Sequence, residues 1–381
     1  MRIVRMATVP FFVLHHLEGQ IRALVAAGHE VFVVTSPGEG IERIGSLGVA
    51  GVVAIEMPRE ISPLADLAAL FRLWRALSEL APDIVHTNTP KAGLLGAIAA
   101  WLCRVPVRLH TFTGQAWAER AGLVRWLGRL ADRVIANLNT GCYADSRSQR
   151  DFLITEGLAT AGDIRVLGAG SLGGVDLKRF DIERLRPAAA QARARLGIPP
   201  QAKVIVFVGR VTRDKGVAEL VTAFDRLTDA ALVLVGPLEP ERDPLPAQTL
   251  AAIERNPAIR AVGYDPQPER YLACADLLCL PSYREGFGIV VIEAAALGVP
   301  CVGTDIVGLR DAVVHGKTGL LVPPKDVSAL ARALKTLLTD DNMRAALSVA
   351  ARERVRRDFD ADIVHARLLE EYAALAASRT S

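Results

Sequence analysis

The chain has 381 residues, 51% hydrophobic and 23% charged, which is too long for one ordinary domain and apolar enough to bury two cores. Its formal net charge of +3 lacks the concentrated basic excess of a nucleic-acid-binding domain. The five cysteines form no close Cys-x-x-Cys pair and mostly sit in apolar runs, so they read as reduced, structural thiols in a reducing compartment.

In chain order, residues 3–7 read as a strand. The stretch after it, 9–14, is interrupted by Pro10 and closed by His15 and His16, so no export signal is read there and the chain is expected to stay in the cytoplasm. Further short Val/Ile/Leu-rich runs at 30–35, 51–57, 83–87, 107–112, 142–146 and 164–167 alternate with segments of helical period. A helix over 63–80 is predicted from Ser62 as cap and Pro63 in the first turn. The longest apolar stretch, 92–103, falls well short of the roughly 20 residues a membrane-spanning helix needs, so it reads as a buried helix.

Turn residues Gly173-Gly174-Val175-Asp176 and the charged segment 178–187 carry little apolar periodicity, and a domain boundary is placed there. The same rhythm then returns, with strands at 204–208, 231–235, 259–262, 276–280 and 300–303. Such alternation is the pattern of βα units around a parallel sheet. Beyond Asp326 the chain reads as almost wholly helical, ending in an amphipathic stretch at 363–377 with no strand after it. The expected architecture is therefore α/β, with two Rossmann-like domains: 1–177, joined by 362–381, and 178–361.

The most informative segment is 281–300, where a strand, a glycine-bearing loop and a helix follow one another. Ligands of open parallel sheets bind beyond the carboxyl ends of the strands, and free amides at a helix start favour a phosphate or a sugar hydroxyl. Gly286 and Gly288 let the backbone of the loop Arg284-Glu285-Gly286-Phe287-Gly288 approach such a ligand. Glu293 is a carboxylate inside the apolar helix that begins at Ile289. Two readings stand for it: a ribose-binding group, whose hydrogen-bond donors would be the ribose hydroxyls, or a surface glutamate on a core helix. A second candidate, Gly209-Arg210 through Lys215-Gly216, also lies between a strand end and a helix. Arg210 and Lys215 there either neutralise a diphosphate, through charge-assisted bonds of roughly 1.5–3 kcal/mol each, or belong to a solvated charged turn.

Taken together, these segments resemble the retaining glycosyltransferases of family 4, which have the GT-B fold. The carriers are Glu285 and Glu293 with seven residues between them, the Glu285-Gly286-Phe287-Gly288 loop, Gly209-Arg210 with Lys215-Gly216, and Gly316-Lys317-Thr318-Gly319-Leu320-Leu321-Val322-Pro323. The resemblance implies two domains facing across a cleft, with the final helix crossing back to the first. It also implies that a hexose or N-acetylhexosamine leaves a nucleoside diphosphate sugar, usually a UDP-sugar, with retention at the anomeric carbon and without a metal or other cofactor. It makes Arg210, Lys215 and Glu285 the catalytic group. Gly209, Gly286, Phe287, Gly288, Ile289 and Glu293 become the donor-binding set.

Segments 83–93 and 110–115 are similar to those of bacterial enzymes that build capsule, O-antigen or lipid-linked oligosaccharides. They place His16, Lys91, His110 and Thr113 on the acceptor side, facing a glycan or a polyprenyl-diphosphate-linked sugar. For each histidine, a satisfied side chain at a strand end is the competing reading. The chain departs from the family pattern in two places: 9–12 lacks the usual glycine pair, and Thr113 stands where many relatives have a histidine.

A metal-free mechanism agrees with the sequence, which has no Asp-x-Asp at a strand end and no ligand-spaced His/Cys/carboxylate cluster. A nicotinamide dehydrogenase would need Gly-x-Gly-x-x-Gly after the first strand, and residues 8–16 contain no glycine. A glycoside hydrolase would need two facing carboxylates, whereas Glu285 and Glu293 share one segment. A UDP-sugar 2-epimerase and a non-catalytic nucleotide-sugar-binding subunit remain as alternatives. Finally, a helix beginning near Gly122 carries Arg125, Arg129 and Arg133 along one stripe beside Trp126, with Leu123, Leu127, Leu130 and Val134 adjoining. This reads either as peripheral contact with an anionic membrane, at the inner face of the cytoplasmic membrane, or as a solvated helix face.

Overall fold

The computed structural model describes residues 1–58, 62–241 and 243–377. The chain divides into two compact units, Met1–Gly173 with the segment starting at Ala361, and Gly174–Asp360. The changes of unit fall slightly before the expected 177/178 and 361/362.

In the first unit, strands β1 (Arg2–Met6), β2 (Glu30–Thr35), β3 (Gly51–Ala54), β4 (Ile84–Asn88), β5 (Val107–Phe112), β6 (Gly141–Ala144) and β7 (Ile164–Val166) form one parallel sheet in the order β3-β2-β1-β4-β5-β6-β7. The connecting helices are α1 (Pro10–Phe12), which continues through a π-helical turn Val13–Leu17 into α2 (Glu18–Ala26), then α3 (Ile41–Gly45), α4 (Pro63–Leu80), α5 (Pro90–Leu102), α6 (Gly122–Leu138) and α7 (Arg147–Thr155). Both faces of the sheet are covered. Ile3, Val33, Ile84 and Leu109 pack with Ile21 and Leu24 of α2, while Val4, Met6 and Val85 pack with Leu73 and Leu77 of α4 and Leu95 of α5. Two-sided burial is why these strands read as near-continuous apolar runs.

The second unit runs α8 (Ile182–Arg195), β8 (Lys203–Val208), α9 (Val217–Phe224), β9 (Ala230–Val235), α10 (Ala247–Arg255), β10 (Ile259–Gly263), α11 (Glu269–Leu272), β11 (Leu277–Leu280), α12 (Ile289–Ala296), β12 (Cys301–Thr304), α13 (Leu309–Ala312), β13 (Gly319–Val322), α14 (Val327–Thr339) and α15 (Asp341–Asp358). Its parallel sheet has the order β10-β9-β8-β11-β12-β13.

Two expectations change here. Residues 178–187 are not wholly turn-like, because Asp181 caps α8 by accepting hydrogen bonds from the amides of Glu183 and Arg184, and the helix passes through Pro187. Capping of this kind stabilises a helix start whose apolar face is too sparse to announce it. The last strand of the sheet, β13, lies within the Gly316–Pro323 motif. It pairs with β12 from Cys301↔Gly319 to Thr304↔Val322, and its four residues are too few to show a period.

The final helix, α16 (Ala361–Ala377), belongs to the first unit. Its Leu368 and Tyr372 join the core around Ile3 and Leu24. Arg5, fully buried on β1, donates from Nη1 to Tyr372 Oη at 3.2 Å and from Nη2 to Asn88 Oδ1 at 3.3 Å. His86, opposite Arg5 on β4, meets the same Tyr372 oxygen at 2.5 Å through Nδ1. At the edge, Tyr143 Oη donates to Glu371 at 2.8 Å, and Arg165 pairs with that carboxylate at 2.7 Å.

Candidate functional site

In each unit the sheet order reverses once, between β1 and β4 in the first and between β8 and β11 in the second. Connections leave toward opposite faces at such a point, which opens a crevice at the carboxyl ends of the two strands. In the second unit the residues singled out in the sequence lie around this crevice.

The loop after β8 carries Gly209, Arg210, Asp214 and Lys215 and ends at Gly216, which caps α9 with φ +69°. A Cβ on Gly216 would lie 2.0 Å from the Pro281 carbonyl oxygen, so only glycine allows this loop to lie against the one after β11. The bond from Tyr283 N to Asp214 O, 2.9 Å, joins the same two loops. On the other side, a Cβ on Gly236 would lie 1.8 Å from the Gly209 carbonyl, and Val211 N donates to Pro237 O at 2.8 Å. Three successive strand ends are thus held in backbone contact. The cap residues of α9 and α12 are glycines, Gly216 and Gly288, which supply no capping side chain, and such helix starts present amides suited to an anion.

The expected catalytic residues come together as ion pairs. Lys215 Nζ lies 2.6 Å from Glu285 Oε1, which also accepts from Ser282 Oγ at 2.7 Å. Arg210 is held by Asp214 at 2.9 Å and by Glu239 at 3.0 Å. Asp214 has a lowered carboxyl pKa: burial opposes the shift, and the Thr212 hydroxyl, Arg210 and Lys215 outweigh it.

Glu293 is partly buried on α12. Burial pushes its carboxyl up to about 7, with Arg179 opposing and the Glu269 charge adding to the shift. Arg179 itself is paired with Glu269 at 2.8 Å. Of the other donor-side residues, Phe287 turns its ring inward against Phe359, centroids 5.3 Å apart, which leaves its backbone for any ligand contact. Ile289 opens α12.

The sequence reading gave no role to Asp214, Ser282, Glu239 or Arg179. Asp214 lies within the segment it did quote, and Glu239 had no signal beyond being a charge in a proline-rich loop.

On the first unit the acceptor-side set is dispersed. His110 is buried on β5, Nδ1 2.8 Å from Thr87 Oγ1, and burial holds its imidazole down at about 3. A Cβ on Gly93 would lie 2.4 Å from His110 Cε1, so this histidine is a core group rather than a ligand-facing one. Lys91 donates to both carboxylate oxygens of Asp66 at 2.7 Å. His16 lies in the π turn with its ring 4.7 Å from that of Phe12, and Thr113 follows β5, partly exposed. The crevice between β1 and β4 is instead marked by two threonines. Thr8 N and Oγ1 lie 3.1 and 2.7 Å from Thr89 Oγ1, and Thr89 has φ +69°, a conformation that strains a β-branched residue.

The arginine stripe of α6 is not a free basic face. Arg125 and Arg129 pair with Glu156 at 2.9 and 3.1 Å, and Arg129 and Arg133 donate to the carbonyls of Glu156 and Gly157 at 2.6 and 3.1 Å. The three cations dock on the C-terminal end of α7, where orphan carbonyls and the helix dipole favour them. Beside these paired arginines α6 exposes an apolar set, Leu123, Val124, Trp126, Leu127 and Leu130, with Trp101 and Leu102 at the end of neighbouring α5. Among the described residues no helix is long and apolar enough to cross a membrane.

Two Rossmann-like parallel-sheet units define an α/β protein of the GT-B kind, and solved structures share that fold. The chain superposes on sucrose-phosphate synthase from Thermosynechococcus elongatus with a TM-score of 0.80 at 23% identity, covering 99% of this chain and all of the other. It superposes on Anabaena HepE, solved in complex with UDP-glucose, with a TM-score of 0.81 at 20% identity over 98% of this chain and all of that one. The chain belongs to the glycosyltransferases of group 1. The model described as "Glycosyl transferases group 1" matches residues 189–354, and that of a "Glycosyl transferase 4-like domain" matches 14–170. It is 30% identical over 360 residues to the capsular polysaccharide biosynthesis glycosyltransferase CapM of Staphylococcus aureus, covering 93% of each chain. It is also 30% identical to a D-inositol 3-phosphate glycosyltransferase of Xylanimonas cellulosilytica, covering 92% of this chain and 89% of the other.

Proposed function

We propose that this chain is a retaining, metal-independent hexosyltransferase that moves a hexose or N-acetylhexosamine from a UDP-sugar to a glycan or lipid-linked saccharide in bacterial surface-polysaccharide synthesis. The observation that carries the reading is the convergence of Arg210, Lys215 and the glycine-capped starts of α9 and α12 at the β8/β11 crevice. The CapM likeness supports the surface-polysaccharide role, and a GT-B neighbour solved with UDP-glucose supports a UDP-linked donor.

In this reading the donor diphosphate lies against the two helix starts, where Lys215 and Arg210 stabilise charge as the bond from the anomeric carbon to the phosphate oxygen breaks. Preorganised groups of this kind are worth on the order of 10²–10³ in rate each. The acceptor hydroxyl forms its new bond on the same face, and its proton passes to the departing diphosphate. Glu285, held by Lys215 and Ser282, faces the transferred sugar, and Glu293 accepts the ribose hydroxyls. Lys91, His16 and Thr113 belong to the acceptor side. The exposed apolar face of α6, rather than its arginines, meets the inner face of the cytoplasmic membrane.

The test is a thermal-shift screen against nucleotide sugars, followed by incubation of the stabilising donor with lipid-linked saccharide acceptors in chelator. A ligand at 100 times its dissociation constant adds about 2.7 kcal/mol of stability. Acceptor-dependent transfer with an unchanged anomeric configuration is expected. Conversion of a UDP-sugar with no acceptor present would make the chain an epimerase, and binding without turnover on any acceptor would make it a binding subunit.

A further inference from the structure

Arg210 carries two carboxylates, and they are held in different ways. Asp214 is fixed from its own loop and from both neighbouring ones: Thr212 Oγ1 donates to its Oδ1 at 2.5 Å, its amide donates to Asp243 Oδ2 at 2.6 Å, and its carbonyl accepts from Tyr283 N at 2.9 Å. Glu239 comes from the loop after β9, and its one ion pair among the described residues is with Arg210 Nη1. The backbone of that loop is anchored independently of the Glu239 side chain, through Pro237 O to Val211 N and the Val211↔Leu238 bridge. Glu239 can therefore leave Arg210 by side-chain rotation alone.

Charge gives that rotation a purpose. Arg210, Lys215 and Arg284 stand against Asp214, Glu239 and Glu285, so the cluster as it stands has no net positive charge to attract a diphosphate. Arg210 by itself is over-neutralised, with Glu239 occupying an N–H direction that a phosphate oxygen would need.

We propose that Glu239 is a displaceable internal counter-ion that occupies on Arg210 the place of a donor phosphate oxygen, while Asp214 is the fixed carboxylate that orients the same guanidinium. Both are positioning residues, acting through Arg210. The inference rests on the donor-site reading above and adds that diphosphate binding is an exchange of one anion for another. Glu239 then keeps the arginine in its working orientation between turnovers and lowers affinity for the diphosphate, including the UDP left after transfer.

The test compares UDP and pyrophosphate binding by calorimetry for the wild type, Glu239→Gln, Glu239→Ala and Asp214→Asn, at low and high salt. Removing one negative charge beside the anion should tighten binding about tenfold in both Glu239 variants, with the gain shrinking at high salt. Asp214→Asn should do the opposite, weakening binding and lowering kcat. Opposite signs from two carboxylates on one arginine are not what a merely structural role would give. Equal or weaker UDP binding in both Glu239 variants, with the wild type binding normally, overturns the exchange and makes Glu239 a second orienting group. A wild type that binds neither UDP nor pyrophosphate overturns the donor site itself.

Discussion

Lys215 Nζ lies 2.6 Å from Glu285 Oε1, joining residues 70 positions apart across the β8/β11 crevice. Both side chains are largely buried, 17% and 13% exposed, so each is the other's main compensation for lost water. The expected catalytic cation and the expected sugar-facing carboxylate are therefore one unit, and they should respond to mutation unequally. Lys215→Ala should reduce transfer by roughly two orders of magnitude or more, by removing charge from the leaving diphosphate. Glu285→Gln frees Lys215, so it should lower kcat while leaving UDP affinity intact or improved. Initial-rate kinetics with UDP titrations decide this, and near-normal turnover in both variants would remove the pair from the mechanism.

The ribose-binding role proposed for Glu293 carries a pH dependence of definite sign. Burial pushes its carboxyl up to about 7, and in the ribose-binding reading proposed above the ribose hydroxyls donate to the ionised form. Donor affinity should therefore rise with pH, by up to about tenfold per unit below 7, and level off above it. A nucleotide sugar is the right probe because its diesterified phosphates do not titrate in this range. Glu293→Gln should bind more weakly and show a flat profile; a wild-type profile that is already flat counts against the ribose assignment.

Asp132 predicts a stability effect in the first unit. It is buried on α6 and accepts from Trp117 Nε1 at 2.7 Å; burial raises its carboxyl to about 6, with the Trp117 and Gln115 hydrogen bonds opposing. A carboxyl raised on folding holds its proton after the unfolded chain has released it. Stability should consequently fall as pH rises from about 4 to about 6, and stay lower above that. Asp132→Asn should raise stability above pH 6, by at most on the order of 2–3 kcal/mol, and have little effect below pH 4. Urea unfolding at pH 4 and pH 7.5 measures both, and an equal effect at the two pH values would contradict the burial account.

The α6 surface calls for apolar rather than basic substitutions. Leu123→Gln, Trp126→Gln and Leu127→Gln together should weaken vesicle binding by roughly two orders of magnitude or more, since each buried apolar side chain contributes about 1.5–3 kcal/mol. Changing Arg125, Arg129 and Arg133 to Glu should instead lower the melting temperature by breaking the contacts with Glu156 and Gly157. Wild-type protein that fails to float with vesicles of any charge would leave the apolar face without a membrane role.

Tyr372 holds the final helix over a buried arginine. Tyr372→Phe leaves Arg5 Nη1 and His86 Nδ1 without this partner, and should cost about 1–3 kcal/mol in chemical denaturation. Adding Arg5→Met should restore part of that loss, because apolar replacement of a buried polar pair is far milder than breaking it. A double variant less stable than Tyr372→Phe alone would show that Arg5 has other indispensable partners.

By itself the sequence determined most of what depends on neighbours in the chain. The period of its apolar residues gave the βα alternation and the final helix, turn residues at 173–176 marked the change of unit, and glycine and charge at strand ends marked the two loops of the β8/β11 crevice. It also gave α6 and the face its arginines share, since a helix fixes which residues line one stripe. Only the tertiary structure decided what each face meets. Arg125 finds Glu156, just past the end of another helix and 31 positions away, His110 is enclosed by α5 and β4, and Glu239 reaches Arg210 because β9 pairs with β8. The strand β13 and the start of α8 stayed hidden because four residues, or a capped polar helix, carry too little period to detect. A local pattern specifies orientation about an axis. The partner across a sheet edge or a helix end is set by packing over long sequence separations, and no local pattern encodes it.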